Sequence, residues 1–259
     1  MSALSKEDIR FFKREGYLIK RGILDIELMA RAREAFWAAA PPQLKRDAPD
    51  TWSLPLPECR ELPSHMGGHI WKYRDLGSED WMIELLPQNP QIWAMAEQFL
   101  GAGTLCPPER LRGIYATFPE GDHPSEAPTC HCEGHPFHLG VVGYIDRVLP
   151  EGGGLKVWPG SHQRFYYDFD GRYAATRDER YTRDTAYFDQ LPYVDFHGEA
   201  GDIIFWHHRL AHSGGHNYSR QIRLALFYDF IKDDMEEKLD MPPAEDMWED
   251  WSEEVRTCE

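Results

Sequence analysis

Long hydrophobic runs are missing from this chain. Nowhere do eighteen apolar residues follow one another, so no membrane span is expected. The first twenty residues, MSALSKEDIRFFKREGYLIK, are charged throughout and read as no secretory signal. Cysteine is scarce, with five residues (Cys59, Cys106, Cys130, Cys132, Cys258) of odd number and no paired spacing. A disulfide scaffold is therefore not expected, and reduced thiols in a cytoplasmic setting are. Positive charge is also short: 28 Lys and Arg face 44 Asp and Glu, a formal net charge of -16. Nucleic acid is a poor partner for such a chain, because phosphate binding needs a basic stripe. Internal repeats and low-complexity blocks are absent too.

What is present is apolar material for a sizeable core, with 42% hydrophobic and 13% aromatic residues in 259. One domain is the natural reading of that length. Much of the acid lies at residues 233–237 and 245–254, which read as a solvated face or tail.

Ser5 with Asp8 forms a capping box, which Leu4 and Ile9 can staple, and Gly16 ends the short helix before the apolar run 17–19. Asp25 caps a second helix with Leu28, Ala32, Ala35, Phe36 and Ala39 at helical spacing, stopped by Pro41 and Pro42. Residues 78–100 predict one or two helices split by Pro87 and Pro90. Beyond Gly103 the character changes. Residues 111–118, 140–145, 155–158, 193–196, 202–206 and 223–231 are short β-rich runs separated by Gly and Pro turns. This is the pattern of a sandwich or barrel with helices ahead of it. The division expected is 1–103 mostly helical support, 104–232 strand core and 233–259 acidic tail.

The densest chemistry is Cys130-His131-Cys132-Glu133-Gly134-His135-Pro136-Phe137-His138. In an extended segment His131 and Glu133 share a side and Cys132 takes the other. An imidazole and a carboxylate two residues apart can bind one ion, with a third ligand from His207, His208, His212 or His216. Two imidazoles and one carboxylate leave coordination positions open, as Fe(II) oxygen chemistry needs. The rival metal is structural zinc on Cys130, Cys132, His135 and His138, against which Cys-x-Cys is a short spacing.

The chain resembles the phytanoyl-CoA dioxygenase family of Fe(II)/2-oxoglutarate oxygenases. The residues that carry the likeness are His131-Cys132-Glu133, GGGLKVWPGSH at 152–162, GDIIFW at 201–206, His212, Asn217-Tyr218-Ser219 and Arg223. The opening helix and the run after Gly16 fit as well. The resemblance implies a double-stranded β-helix, the cupin-like jelly roll, mainly β with supporting amino-terminal helices. It implies His131, Glu133 and His212 as catalytic iron ligands, and Arg223 clamping the far carboxylate of the 2-oxoglutarate cosubstrate. His138 is a second cosubstrate candidate, Arg112 and Tyr115 are pocket-lining candidates, and His162 reads as structural. The implied reaction oxidises a C–H bond of a small organic substrate with dioxygen, releasing succinate and CO2. A carboxylate at 133 favours hydroxylation over halogenation. Two departures stand out: Glu133 where Asp is usual, and Gly214 where the family often has a cosubstrate-binding Ser. A cupin-like protein that binds metal or ligand without turnover is the other-class alternative. Specificity is expected from residues 47–68, the insertion 166–190 as a lid, and the tail, where Trp248 and Trp251 can dock on the body or on a second subunit. The substrate and the oligomeric state are not legible.

Overall fold

The computed structural model describes residues 3–53, 69–121, 128–174 and 176–259. Its strands are β1 (Tyr17–Lys20), β2 (Ile70–Tyr73), β3 (Ile114–Thr117), β4 (Leu139–Tyr144), β5 (Leu155–Val157), β6 (Val194–Asp195), β7 (Ile203–His207), β8 (His212–Gly214) and β9 (Arg223–Phe230). Its main helices are α1 (Lys6–Glu15), α2 (Ile26–Ala39), α3 (Asp80–Leu85), α4 (Pro90–Leu100), α5 (His162–Phe165) and α6 (Glu179–Phe188), followed by short α7 (Met235–Lys238) and α8 (Glu253–Thr257). A six-stranded antiparallel sheet runs β1-β7-β4-β9-β3-β2, and a three-stranded one runs β6-β5-β8.

Side chains alternate across a strand, and in the large sheet both faces are covered. Leu139 and Val141 of β4, and Ile203 and Phe205 of β7, join a cluster with Phe12, Phe36, Met82 and Phe99 of the helices. Val142, Tyr144, Ile204 and Trp206 point the other way, against Leu155 and Val157 of the small sheet. Two covered faces explain why these strands read as near-continuous apolar runs. Each fully buried side chain of this kind contributes roughly 1.5–3 kcal/mol. The result is the jelly roll expected, with helices packed on the outer face of the larger sheet.

Local signals act where they were read. Ser5 and Asp8 complete the capping box of α1, and Asp25 accepts from Glu27 and Leu28 N–H at the start of α2. Gly16 takes φ 82° and carries the chain from α1 into β1; a Cβ there would also sit 2.5 Å from the His162 ring. Pro87 and Pro90 part α3 from α4 as read. Pro90 is the first residue of α4, capped by Asn89, a position where a missing N–H costs nothing.

The coarse division gains detail at three places. The segment 1–103, mostly helical, also supplies β1 and β2, the two edges of the large sheet. The tail is not a solvated face throughout: Trp248 and Trp251 are buried on the body, 6.1 and 5.3 Å from the Phe12 ring. Asp250 is buried with Arg172 at 3.0 Å and Lys238 at 2.6 Å. The insertion 166–190 holds helix α6, whose Tyr181 and Phe188 pack with Phe165, Cys130 and Cys132. It forms a third packed layer. Of the stretch 47–68, residues 54–68, with Cys59, lie outside the described residues.

Candidate metal centre

The site begins with a backbone pairing. His131 N–H donates to His212 O and His212 N–H to His131 O, both at 2.9 Å. Two residues that exchange hydrogen bonds across antiparallel strands present side chains on one face, and their ring centroids lie 4.7 Å apart. Two residues on, Glu133 returns to that face, with Oε1 3.7 Å from His212 Nε2. The three residues each offer a donor atom, all within 4.8 Å of one another. Among the described residues this is the one group of three or more His, Cys, Asp or Glu donors close enough to share an ion. Cys130 and Cys132 face away, into the apolar cluster under α6, with thiols directed at Thr185 O and Arg209 O.

The surroundings prepare these atoms for a cation. His212 Nδ1 is 2.9 Å from Leu210 O; the proton that this contact requires on Nδ1 leaves Nε2 free to ligate. Burial by itself raises the pKa of Glu133. The hydrogen bond and charge of His212 outweigh it, and with Arg112 and His135 hold the carboxyl well below the usual range. It is a carboxylate at any physiological pH. Two imidazoles and one carboxylate fit a divalent first-row metal with positions to spare.

Arg223 opens β9 and projects between the sheets, because it shares a face with Ala225 of the inner cluster. It is 5% exposed. Nε donates to Gly153 O at 2.8 Å and Nη1 to Tyr115 O at 3.3 Å. Gly153 can offer that carbonyl because it sits at φ 80°, where a Cβ would meet Thr117 at 3.0 Å. No carboxylate lies within ion-pair distance of Arg223 among the described residues. Burial lowers its pKa, yet a guanidinium stays charged.

The other motif residues are structural. Buried Asn217 donates from Nδ2 to Thr117 O (2.9 Å) and Gln221 O (2.7 Å), while Ser219 donates to its Oδ1. This ties the loop ahead of Arg223 to β3. Asp202 accepts from Gly22 N–H and from Arg21. Ser161 Oγ donates to Trp158 O and accepts from Ala211 N–H. His162 is buried against Lys13 O, as a structural residue would be.

His138 is placed elsewhere. Its N–H donates to Phe230 O, at the far end of β9 from Arg223, and seven residues of extended strand span roughly 23 Å. Its ring packs 4.4 Å from Tyr173, and its Nδ1 accepts from Lys232 N–H. Burial drives its pKa down to about 3. The cosubstrate role expected of His138 therefore does not hold for a ligand reaching Arg223. The zinc grouping fails on the same geometry, since Cys130, Cys132, His135 and His138 point to different neighbours.

Arg112 and Asp229 meet at this site without a signal in the sequence. Arg112 donates to Glu133 Oε1 at 3.2 Å and to Asp229 Oδ2 at 2.9 and 2.6 Å. His135 Nε2 lies 2.8 Å from Arg112 and 3.1 Å from Asp229. No spacing signal joins residues 112, 133 and 229. Lys72 also faces the interior, 5.0 Å from the centre of the Tyr115 ring.

Residues 119–225 match the model of phytanoyl-CoA dioxygenase (PhyH). The matched segment is less than half of the chain. It contains His131, Glu133, His212 and Arg223, whereas Arg112 and Asp229 lie outside it. No curated protein matches the chain. Solved structures do. The epimerase SnoN, in complex with Fe3+, alpha ketoglutarate and nogalamycin RO, is 23% identical over 88% of this chain and 83% of its own, with a TM-score of 0.57. EctD from S. alaskensis, with 2-oxoglutarate and 5-hydroxyectoine, is 16% identical over 89% and 77%, TM-score 0.57. HygX from Streptomyces hygroscopicus, with nickel, 2-oxoglutarate and hygromycin B bound, is 14% identical over 89% and 88%, TM-score 0.54. At these identities the likeness is one of fold, and it spans nearly the whole chain. No helix among the described residues is long and apolar enough to cross a membrane.

Proposed function

We propose that this protein is an Fe(II)/2-oxoglutarate-dependent dioxygenase that oxidises a C–H bond of a small organic substrate. The observation that carries the reading is the convergence of His131, Glu133 and His212, from two separated stretches, on one point with donors within 4.8 Å. The buried, carboxylate-free Arg223 on the inner face supports it, as do the 2-oxoglutarate-bound proteins of the same fold.

His131, Glu133 and His212 would hold the iron. Bound there, iron supplies oxidation by dioxygen: 2-oxoglutarate, O2 and R–H give succinate, CO2 and R–OH. Arg223 would pair its planar fork with the distal carboxylate of 2-oxoglutarate, both oxygens at once. The apolar layer of Cys132, Trp158 and Phe165 behind the metal ligands, and the inner cluster beneath them, exclude water from the back of the site. Glu133 as a third protein ligand favours hydroxylation over halogenation. The free thiols of Cys106, Cys130, Cys132 and Cys258 support work in a reducing cytoplasm.

The test is direct. Protein purified without oxygen should carry or accept close to one equivalent of Fe(II). On admitting air, it should turn 2-oxoglutarate into succinate, slowly without substrate and faster with a compound it oxidises. His212→Ala should abolish both. Metal uptake with no succinate under any compound screened leaves the non-catalytic binder as the correct reading.

A further inference from the structure

The arginine beside the metal site is harder to place there than a surface residue would be. Arg112 is anchored through its backbone, whose N–H donates to Phe227 O at 3.1 Å. Its side chain is 25% exposed. The guanidinium spends Nε and Nη2 on Asp229 Oδ2, and turns Nη1 to Glu133 Oε1 at 3.2 Å. That oxygen is the one 3.7 Å from His212 Nε2. A plain salt bridge accounts for Asp229, but not for the third contact on a candidate metal ligand.

Glutamate has one more rotatable bond than aspartate, so an unrestrained carboxylate at 133 would sample several positions around an ion. A donor fixed at both ends of its own side chain removes that freedom. The charges of Arg112 and Asp229 oppose each other, so the pair contributes orientation while adding little net charge. A cleft of about 660 Å³, with Arg74, Arg110 and Tyr228 in its wall, opens against Arg112, His135 and Asp229.

We propose that Arg112, anchored by Asp229, is a positioning residue that holds the Glu133 carboxylate in its metal-facing orientation. This rests on the metal-site reading above. It accounts for the glutamate at 133: the longer side chain is matched by an external brace.

Co(II) titration separates the possibilities, because its visible absorption reports coordination and its affinity can be measured without turnover. Wild type, Arg112→Ala, Arg112→Lys and Asp229→Asn are compared, each with its unfolding temperature. Partners of metal ligands typically cost 10–100-fold in metal affinity when lost, so Arg112→Ala should weaken Co(II) binding by about that factor and alter the spectrum. Asp229→Asn should weaken it less, in the same direction, and Arg112→Lys should not restore it, lacking the fork. Electrostatics alone predicts the opposite sign, since deleting a cation beside a dication site tightens binding. An unchanged or tighter Co(II) constant in folded Arg112→Ala or Asp229→Asn overturns the proposal. So does a lowered unfolding temperature with wild-type affinity and spectrum, the mark of a merely structural pair. If wild type itself takes no Co(II), the metal-site reading falls, and this inference with it. Wild-type binding with indifferent variants sinks the inference alone.

Discussion

Replacing Arg223 by Leu removes a buried cation that the fold leaves without a carboxylate. Two opposed terms act on stability. The variant gives up charge-assisted hydrogen bonds to Gly153 O and Tyr115 O, each contributing about 1.5–3 kcal/mol. It also gives up the desolvation penalty of a guanidinium that is 5% exposed, several kcal/mol in the other direction. The terms are of similar size, so unfolding should move by a few degrees at most. Cosubstrate binding has no such compensation. Truncating one partner of a buried, hydrogen-bonded charge pair costs about 2–5 kcal/mol, a loss of roughly 30- to 4,000-fold at 1.4 kcal/mol per tenfold. Calorimetric titration of 2-oxoglutarate into Mn(II)-loaded protein without oxygen reads this directly. Pyruvate, which keeps the keto acid and lacks the distal carboxylate, is the control. Wild type should prefer 2-oxoglutarate strongly, and Arg223→Leu should lose the preference. A folded variant that binds 2-oxoglutarate within threefold of wild type would refute the clamp.

Trp251→Ala should lower stability by about 3–5 kcal/mol, seen by differential scanning fluorimetry, because the ring is 4% exposed and stacks 5.2 Å from His207. Cys132→Ser should leave metal content unchanged, since that thiol points at Arg209 O; lost metal on elemental analysis would revive the zinc site. Acid should destabilise the metal-free protein early. Burial holds His138 down to about 3, His162 to about 4, and His207 and His208 well below their ordinary value. All four are neutral when folded but take up protons near 6.5 when unfolded, so stability is complete above 6.5 and falls as pH drops toward 4. At pH 5.5, a unit below the ordinary imidazole value, each costs on the order of 1 kcal/mol. Asp168, pushed up to about 6 by burial, returns part of this, leaving a loss of a few kcal/mol. Equal urea-unfolding free energies at pH 7.5 and 5.5 would contradict this.

How much was legible follows from where each signal resides. Ser5, Asp8, Gly16 and Asp25 speak within four residues of themselves, and each acts as read. Among the six β-rich runs, those of β4 and β7 were the most legible, because burial on two faces leaves them continuously apolar. β2 and β8 were not marked. β2 (IWKY) is an edge strand with Lys72 inward, and β8 (HSG) is three residues whose pairing with His131 depends on a contact 81 positions away in the chain. His131, Glu133, His212 and Arg223 were legible through a motif set read as an ensemble. His138 shows that nearness in sequence to His131 is not nearness to Arg223 in space. Pro136 and the turn at 134–135 separate them, and His138 enters β4 among Tyr173, His208 and Lys232. Asp229 went unmarked, and Arg112 without a role, because their meaning is a meeting of three strands' ends.

Net charge misled less than it could have. A formal -16 belongs to the exterior and to the ion pairs of the tail, and screening over about 10 Å keeps exposed acid from governing the interior. Between the sheets the balance reverses. Arg223 is buried without a carboxylate, Lys72 lies over Tyr115, and Arg112 meets Glu133 and Asp229. A dication bound at His131, Glu133 and His212 would add two more positive charges beside a single ligand carboxylate. Under the proposed function, such an interior would suit a dianionic guest with one end on the metal and the other on Arg223. On that reading the acidic surface, the cationic interior and the two-imidazole, one-carboxylate centre are consistent with one another.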